Sequence, residues 1–123
     1  MSLTRDEFNS IKASLGREGG GIGNDYYLTD YGDKSERKAG DLENLTVPEF
    51  GSEITLTAMF DTGPDETFEA ANGVAFTVRE LFDIIGKYEA TQREGCGPSD
   101  RVFFEGLEEK TRKPGCYNVF WGS

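Results

Sequence analysis

The sequence predicts an α+β fold in which an antiparallel sheet of four to five strands packs on one main helix. Three observations predict it: a period-two apolar alternation at 53–60, a broad apolar stripe at helical spacing across 77–92, and two apolar segments near the C-terminus joined by a charged turn. The 123 residues have the length of one ordinary domain. We therefore predict a single domain over residues 1–123.

An N-terminal helix is predicted over residues 5–15. Thr4 and Glu7 have the spacing of a capping box, in which each side chain bonds the backbone N–H of the other residue. The apolar residues that follow at helical spacing are Phe8, Ile11 and Leu15. Gly16 then stands where a glycine commonly ends a helix.

Four strands and the main helix account for most of the remaining apolar residues. The strands are predicted at 53–60, 66–70, 101–107 and 116–121, and residues 26–28 are the candidate for a fifth. A second capping box, Thr77 with Glu80, begins the main helix, which is predicted to run to about residue 92. An eight-residue charged connection, 108–115, is predicted to project between the last two strands.

Residues 16–44 are predicted to be a mobile loop segment rich in glycine and charge. Five glycines fall between Gly16 and Gly23, but the segment lacks the Gly-Lys-Ser/Thr ending of a phosphate-binding loop and does not open a helix. A hinge is therefore the favoured interpretation. If the segment closes over a ligand, the side chains predicted to line it are Tyr26, Tyr27, Asp30 and Tyr31.

The residue inventory disfavours catalysis. The chain has no histidine and two cysteines, which removes the commonest general base and the four nitrogen or sulfur ligands of a structural zinc site. Its carboxylates do not follow a calcium-loop pattern. We favour a non-enzymatic protein with no cofactor and no metal site.

Charge favours a protein partner with a basic surface. The net charge is −10, and no lysine or arginine occurs from Ala39 to Val78. Binding of this protein to the phosphate groups of nucleic acid is therefore disfavoured. No apolar run is long enough to span a membrane, and we expect a cytoplasmic protein without a membrane partner. The predicted partner-binding residues are Asp61, Asp65, Glu66, Glu69, Tyr117 and Trp121.

The favoured hypothesis is therefore a small acidic protein-interaction domain of the immunity, inhibitor or adaptor type. The first alternative is a small-molecule-binding or catalytic domain with residues 16–40 as a lid. The second is a structural subunit of an assembly, because aromatic residues on both faces of 116–121 suggest pairing with a neighbour, including a homodimer through the C-terminal hairpin.

Overall fold

The computed structural model of the chain describes residues 2–18, 21–31, 44–57, 65–92 and 103–122. Its helices are α1 (Arg5–Asn9), a 3-10 helix (Pro48–Phe50) and α2 (Val78–Gln92). Its strands are β1 (Ile11–Glu18), β2 (Gly21–Tyr31), β3 (Glu53–Thr57), β4 (Glu66–Glu69), β5 (Phe103–Lys110) and β6 (Lys113–Gly122). Helices and one sheet thus form an α+β fold, as predicted.

The four strands predicted at 53–60, 66–70, 101–107 and 116–121 correspond to β3, β4, β5 and β6, which are adjacent in the sheet. The hairpin of β1 and β2 extends the sheet to the order β2-β1-β5-β6-β3-β4. The sheet is mixed, so the prediction of a purely antiparallel sheet was wrong: β3 runs parallel to β6, with Thr55 opposite Cys116. A parallel pair requires a long crossover, and α2 lies in the connection between these two strands.

The predicted helix over residues 5–15 was wrong beyond Asn9. The chain changes to β1 at Ile11, which pairs antiparallel with β2 from Ile11 opposite Tyr31 to Glu18 opposite Gly21. Residues 16–18 and 21–31 of the predicted loop segment therefore belong to strands, and its residues 19, 20 and 32–43 lie outside the described residues. The helical pattern is too short to make a stable helix by itself. The hydrogen bonds of β1 with β2 stabilise the extended conformation of these residues instead.

Both predicted capping boxes are confirmed. The Thr4 hydroxyl accepts a hydrogen bond from Glu7 N–H at 3.1 Å, and Glu7 Oε1 accepts one from Thr4 N–H at 2.9 Å. At α2, the Thr77 hydroxyl accepts from Glu80 N–H at 3.1 Å, and Glu80 Oε1 accepts from Thr77 N–H at 3.0 Å. These bonds satisfy backbone donors that no helix can satisfy internally.

The core lies between α2 and the sheet. The predicted apolar stripe of α2 is buried; its members are Val78, Leu81, Phe82, Ile85 and Tyr88. Phe8 of α1 is fully buried among three rings, with centroid distances of 5.5 Å to Phe50, 5.0 Å to Phe82 and 5.7 Å to Phe104. Aromatic packing thus joins α1, the 3-10 helix, α2 and β5 in one cluster.

The C-terminal hairpin is tighter than predicted. Lys110 pairs with Lys113, so Thr111 and Arg112 alone form the turn, and the eight-residue projecting connection was wrong. Most of the predicted connection continues β5 or begins β6 instead. Because β5 and β6 both lie inside the sheet order, neither is an edge strand for a neighbour to pair with.

Candidate protein-interaction surface

The β3–β4 edge of the sheet is the candidate interaction surface. β4 is the last strand in the sheet order, and its residues Glu66, Thr67 and Glu69 are exposed. Phe68, in the middle of β4, is half-buried and packs against the core. β4 is therefore anchored to the fold by one aromatic side chain while its backbone runs along the outside of the sheet.

The register of β3 and β4 brings two glutamates directly opposite each other. Glu53 pairs with Glu69, and Thr55 pairs with Thr67. Ala70 N–H donates to the Ser52 carbonyl at 2.8 Å, so Ser52 and Ala70 form a hydrogen-bonded pair. Such pairs alternate along an antiparallel ladder, which makes Glu53 and Glu69 a non-hydrogen-bonded pair, the type with the closer side chains.

The two threonines confirm this spacing. The hydroxyl oxygens of Thr55 and Thr67 lie 2.8 Å apart in a hydrogen bond across the same face. Glu53 and Glu69 occupy the next position along that face and cannot make such a bond when both are ionised. Like charges directly opposite each other destabilise a sheet, so we expect this pair to lower the stability of the fold.

We call Glu53, Asp65, Glu66 and Glu69 the acidic edge. All four residues are exposed. Asp65 lies 3.9 Å from the Lys113 ammonium, whereas no cation of the described residues pairs with Glu53, Glu66 or Glu69. The acidic edge thus presents three carboxylates that the described part of the fold leaves without a countercharge.

The structure separates the predicted partner-binding residues into two groups. Asp65, Glu66 and Glu69 lie together on the acidic edge, whereas Asp61 lies outside the described residues. Tyr117 and Trp121 are each 3% exposed and belong to the core, so they are not available as surface contacts. The sequence did not show that Phe50 of the 3-10 helix packs against Tyr117 at 5.1 Å, or that Phe104 of β5 packs against Trp121 at 5.9 Å.

Trp121 has a polar partner inside the core. Its indole N–H donates to Oε1 of Glu89, a residue of α2 that is 4% exposed. The helical spacing of the apolar residues places Glu89 outside the apolar stripe of α2, yet its side chain is buried. A buried carboxylate needs hydrogen-bond donors, and the indole of Trp121 supplies one of them.

A second polar cluster surrounds Arg5 at the start of α1. Its Nη1 lies 3.1 Å from the Tyr117 hydroxyl and 3.4 Å from Oε1 of Glu109, and its backbone N–H donates to Glu49 at 2.8 Å. The hydrogen bond with Tyr117 raises the pKa of Arg5. A hydrogen bond from Gly115 N–H, and then the charge of Arg5, lower the pKa of Glu109. The cluster ties α1 to the C-terminal hairpin.

The ionisation of Tyr117 gives this cluster a pH dependence. Burial raises the pKa of Tyr117, and the nearby Glu109 charge adds to the effect while the Arg5 hydrogen bond opposes it. A raised pKa in the folded state contributes stability below the unfolded value of about 10, and that stability is lost as pH rises through the folded pKa.

We expect Tyr117→Phe to lose less of its folding stability than the parent protein between about pH 10 and pH 12, measured by urea unfolding. Equal losses in the two proteins would contradict the assignment.

The four predicted lid residues lie in β2. Tyr26, Tyr27 and Tyr31 pair with β1 through Leu15, Ser14 and Ile11, and Asp30 pairs with Lys12. Their backbones belong to a sheet strand that lies against α2. Whether these side chains line a ligand site stays a prediction.

Asn9, the last residue of α1, has a structural role that no sequence pattern indicated. The described pairing of β1 with β5 is at Ser14 and Phe103. Farther along β5, Asn9 Nδ2 donates to the Leu107 carbonyl at 3.0 Å and its Oδ1 accepts from Leu107 N–H at 2.9 Å. One side-chain amide therefore takes the place of a strand partner at Leu107.

No family model, curated protein or solved structure matches the chain. Among the described residues, no helix is long and apolar enough to cross a membrane. Within the same part of the chain, no group of three or more cysteine, aspartate or glutamate residues is placed to hold a metal ion.

Proposed function

We propose that this protein is a small non-enzymatic protein-interaction domain whose acidic edge binds a basic surface on a partner protein. The observation that carries the proposal is the Glu53–Glu69 pair, in which two exposed glutamates occupy directly opposite positions of the β3–β4 ladder and neither forms an ion pair with a described cation. We expect the pair to lower the stability of the free protein. A basic partner would supply the missing countercharge and remove that cost.

The negative net charge of the whole chain also favours a basic partner. With a net charge of −10, the chain attracts cations over a range set by the Debye length, which is about 8 Å at physiological salt. Long-range attraction of this kind raises the association rate with a basic partner and disfavours acidic ones. The exposed carboxylates of the acidic edge would then fix where the partner binds.

The test uses a defined basic probe, a capped seven-residue peptide of alternating lysine and threonine carrying a fluorescent label. We expect the double variant Glu53→Gln, Glu69→Gln to bind it roughly three- to thirtyfold more weakly, since each lost exposed ion pair contributes about 0.3–1 kcal/mol. Fluorescence anisotropy at low salt measures the dissociation constant.

A matched control separates the acidic edge from net charge. Glu105 and Glu108 are exposed on β5, two strands away from β3, and their substitution by glutamine changes the net charge by the same amount. The Glu105→Gln, Glu108→Gln variant is expected to weaken peptide binding much less than the acidic-edge variant, because it lowers only the net charge. Equal weakening by both double variants would overturn the proposal, because binding would then depend on total charge alone.

The same acidic-edge variant carries a stability prediction. Removing the repulsion between Glu53 and Glu69 is expected to raise the free energy of unfolding by about 0.2–1 kcal/mol at low salt. The gain is expected to shrink at 1 M salt, where the Debye length falls to about 3 Å. Urea unfolding at the two salt concentrations measures the gain, and a loss of stability at low salt would show that the two carboxylates do not repel each other.

A further inference from the structure

The backbone of β4 has hydrogen-bonding groups on its outer side. Because Ala70 N–H bonds the Ser52 carbonyl, the register makes Phe68 and Glu66 the residues of β4 that bond to β3. The N–H and C=O groups of the alternate residues, Thr67 and Glu69, then point away from β3. Both residues are exposed, and no described strand pairs with this side of β4.

The backbone of β5 beyond its described pairing with β1 is treated differently. At Leu107 of β5, the Asn9 side chain satisfies both the N–H and the C=O of the backbone. A glycine follows the local bulge, and a Cβ on Gly106 would lie only 3.4 Å from Asn9 Cγ, which shows how closely the two segments approach. The Asn9 side chain therefore closes β5 at this point, whereas no described residue bonds the outward N–H and C=O groups of Thr67 and Glu69 in β4.

Charge indicates which strand the open edge of β4 accepts. A second copy of this chain pairing edge to edge would place the same glutamates near one another, and like charges oppose such pairing. A basic strand would instead be attracted by these glutamates, because its charges have the opposite sign. Residues directly opposite Glu69 and Thr67 would share their face of the sheet, so lysine or arginine at every second position would lie beside Glu69 and within reach of Glu53.

We propose that β4 accepts an extended basic segment of a partner protein as an added antiparallel strand. The N–H and C=O groups of Thr67 and Glu69 bond the backbone of the added strand, and its alternating cations pair with the carboxylates of Glu69 and Glu53. This mode rests on the proposed function, since it specifies how the basic partner binds the acidic edge. Main-chain bonds supply affinity in such complexes, and the alternate side chains supply specificity.

The decisive test compares two methylated forms of the lysine–threonine peptide. In an antiparallel added strand, the residues opposite Thr67 and Glu69 direct their backbone N–H groups toward β4, and these residues are the lysines. Methyl groups on the backbone nitrogens of the lysines are expected to weaken binding at least tenfold. Methyl groups on the backbone nitrogens of the threonines are expected to change it less than threefold. Equal affinities of the two peptides would overturn the added strand.

Amide hydrogen exchange locates the new bonds. In the free protein, the N–H groups of Thr67 and Glu69 are expected to exchange faster than those of Phe68, which bonds to β3, and Ala70, which bonds to the Ser52 carbonyl. The unmethylated peptide is expected to slow exchange at Thr67 and Glu69. Binding without this protection would overturn strand addition and leave the proposed function intact, whereas failure of the peptide to bind at all would overturn both.

Variants of Thr67 test the same edge from the protein side. Thr67→Pro removes an outward N–H without removing a bond of the β3–β4 ladder, a placement that edge strands tolerate. Thr67→Ala is the matched control, because it also loses the hydroxyl bond to Thr55 but keeps the N–H. We expect the proline variant to bind the peptide at least fivefold more weakly than the alanine variant. Equal binding by two folded variants would contradict the proposal, and the methylated peptides decide it if the proline variant does not fold.

Discussion

Replacing Phe8 with alanine is expected to lower the free energy of unfolding by about 3–5 kcal/mol, the usual cost of truncating a fully buried phenylalanine. The Phe8 side chain is 0% exposed and contacts rings from three other elements, at Phe50, Phe82 and Phe104. α1 has five residues and cannot be stable by itself, so the loss of this ring also detaches it from the core. Urea unfolding followed by far-UV circular dichroism measures the change.

Val74 offers a matched truncation outside the core. Its side chain is 73% exposed, and Val74→Ala is expected to change the free energy of unfolding by less than about 0.5 kcal/mol. A loss below about 1 kcal/mol for Phe8→Ala would contradict the packing of α1 against the three rings, because a large buried ring cannot be removed from a close-packed core at so small a cost.

The second large effect is expected at Asn9. Asn9→Ala removes both hydrogen bonds to the Leu107 backbone and is expected to cost about 1–3 kcal/mol, because the N–H and C=O of Leu107 lose their partner in a partly buried place. The substitution also uncovers a stretch of β5, so we expect more self-association at high protein concentration. Amide exchange at Leu107, urea unfolding and sedimentation measure the three consequences.

Ser10→Ala is the control for Asn9. The Ser10 hydroxyl donates to the Asp6 carbonyl at 3.0 Å on an exposed surface, where water can replace it. This variant is expected to lose less than about 0.5 kcal/mol and to keep the exchange rate at Leu107 unchanged. If both variants accelerate exchange at Leu107 equally, general loosening of α1 explains the effect and the specific role of Asn9 is wrong.

Several parts of the fold depend on neighbours in the sequence and were predictable for that reason. The two capping boxes need residues three positions apart, and the buried stripe of α2 needs a helical repeat of apolar residues. Ile54 and Leu56 of β3 are buried as their alternation predicted. The charge of the acidic edge was also visible, because exposed glutamates in a span without lysine or arginine cannot find a local countercharge.

The identity of β1 was less accessible because its first residues fit two patterns. Ile11 and Leu15 are spaced for a helix, yet Ile11, Ala13 and Leu15 also alternate with polar residues or glycine as a strand requires. The intrinsic helix and strand preferences of so few residues cannot decide between the two structures. Pairing with β2 decides between them, because the ladder hydrogen bonds of β1 depend on a partner strand that the local pattern does not contain.

Burial of Glu89, Tyr117 and Trp121 also required the whole fold. Trp121 lies on β6 and Glu89 on α2, 32 residues earlier, and only their approach gives the carboxylate a buried indole donor. Tyr117 is covered because Phe50 packs against it at 5.1 Å and Arg5 bonds its hydroxyl. Without those long-range contacts, two aromatic residues at the end of a hairpin resemble a surface for a partner.

The sequence by itself determined the helix caps, the apolar stripe of α2, the four strands β3 to β6 and the acidity of the span from Ala39 to Val78, since each depends on residues close together in the chain. The tertiary structure decided the parallel pairing of β3 with β6, the use of Asn9 to close β5, and the placement of Glu53 opposite Glu69 beside the last strand of the described sheet. The physical reason is that register and strand order depend on hydrogen bonds between segments far apart in sequence, whose relative stability no local pattern contains.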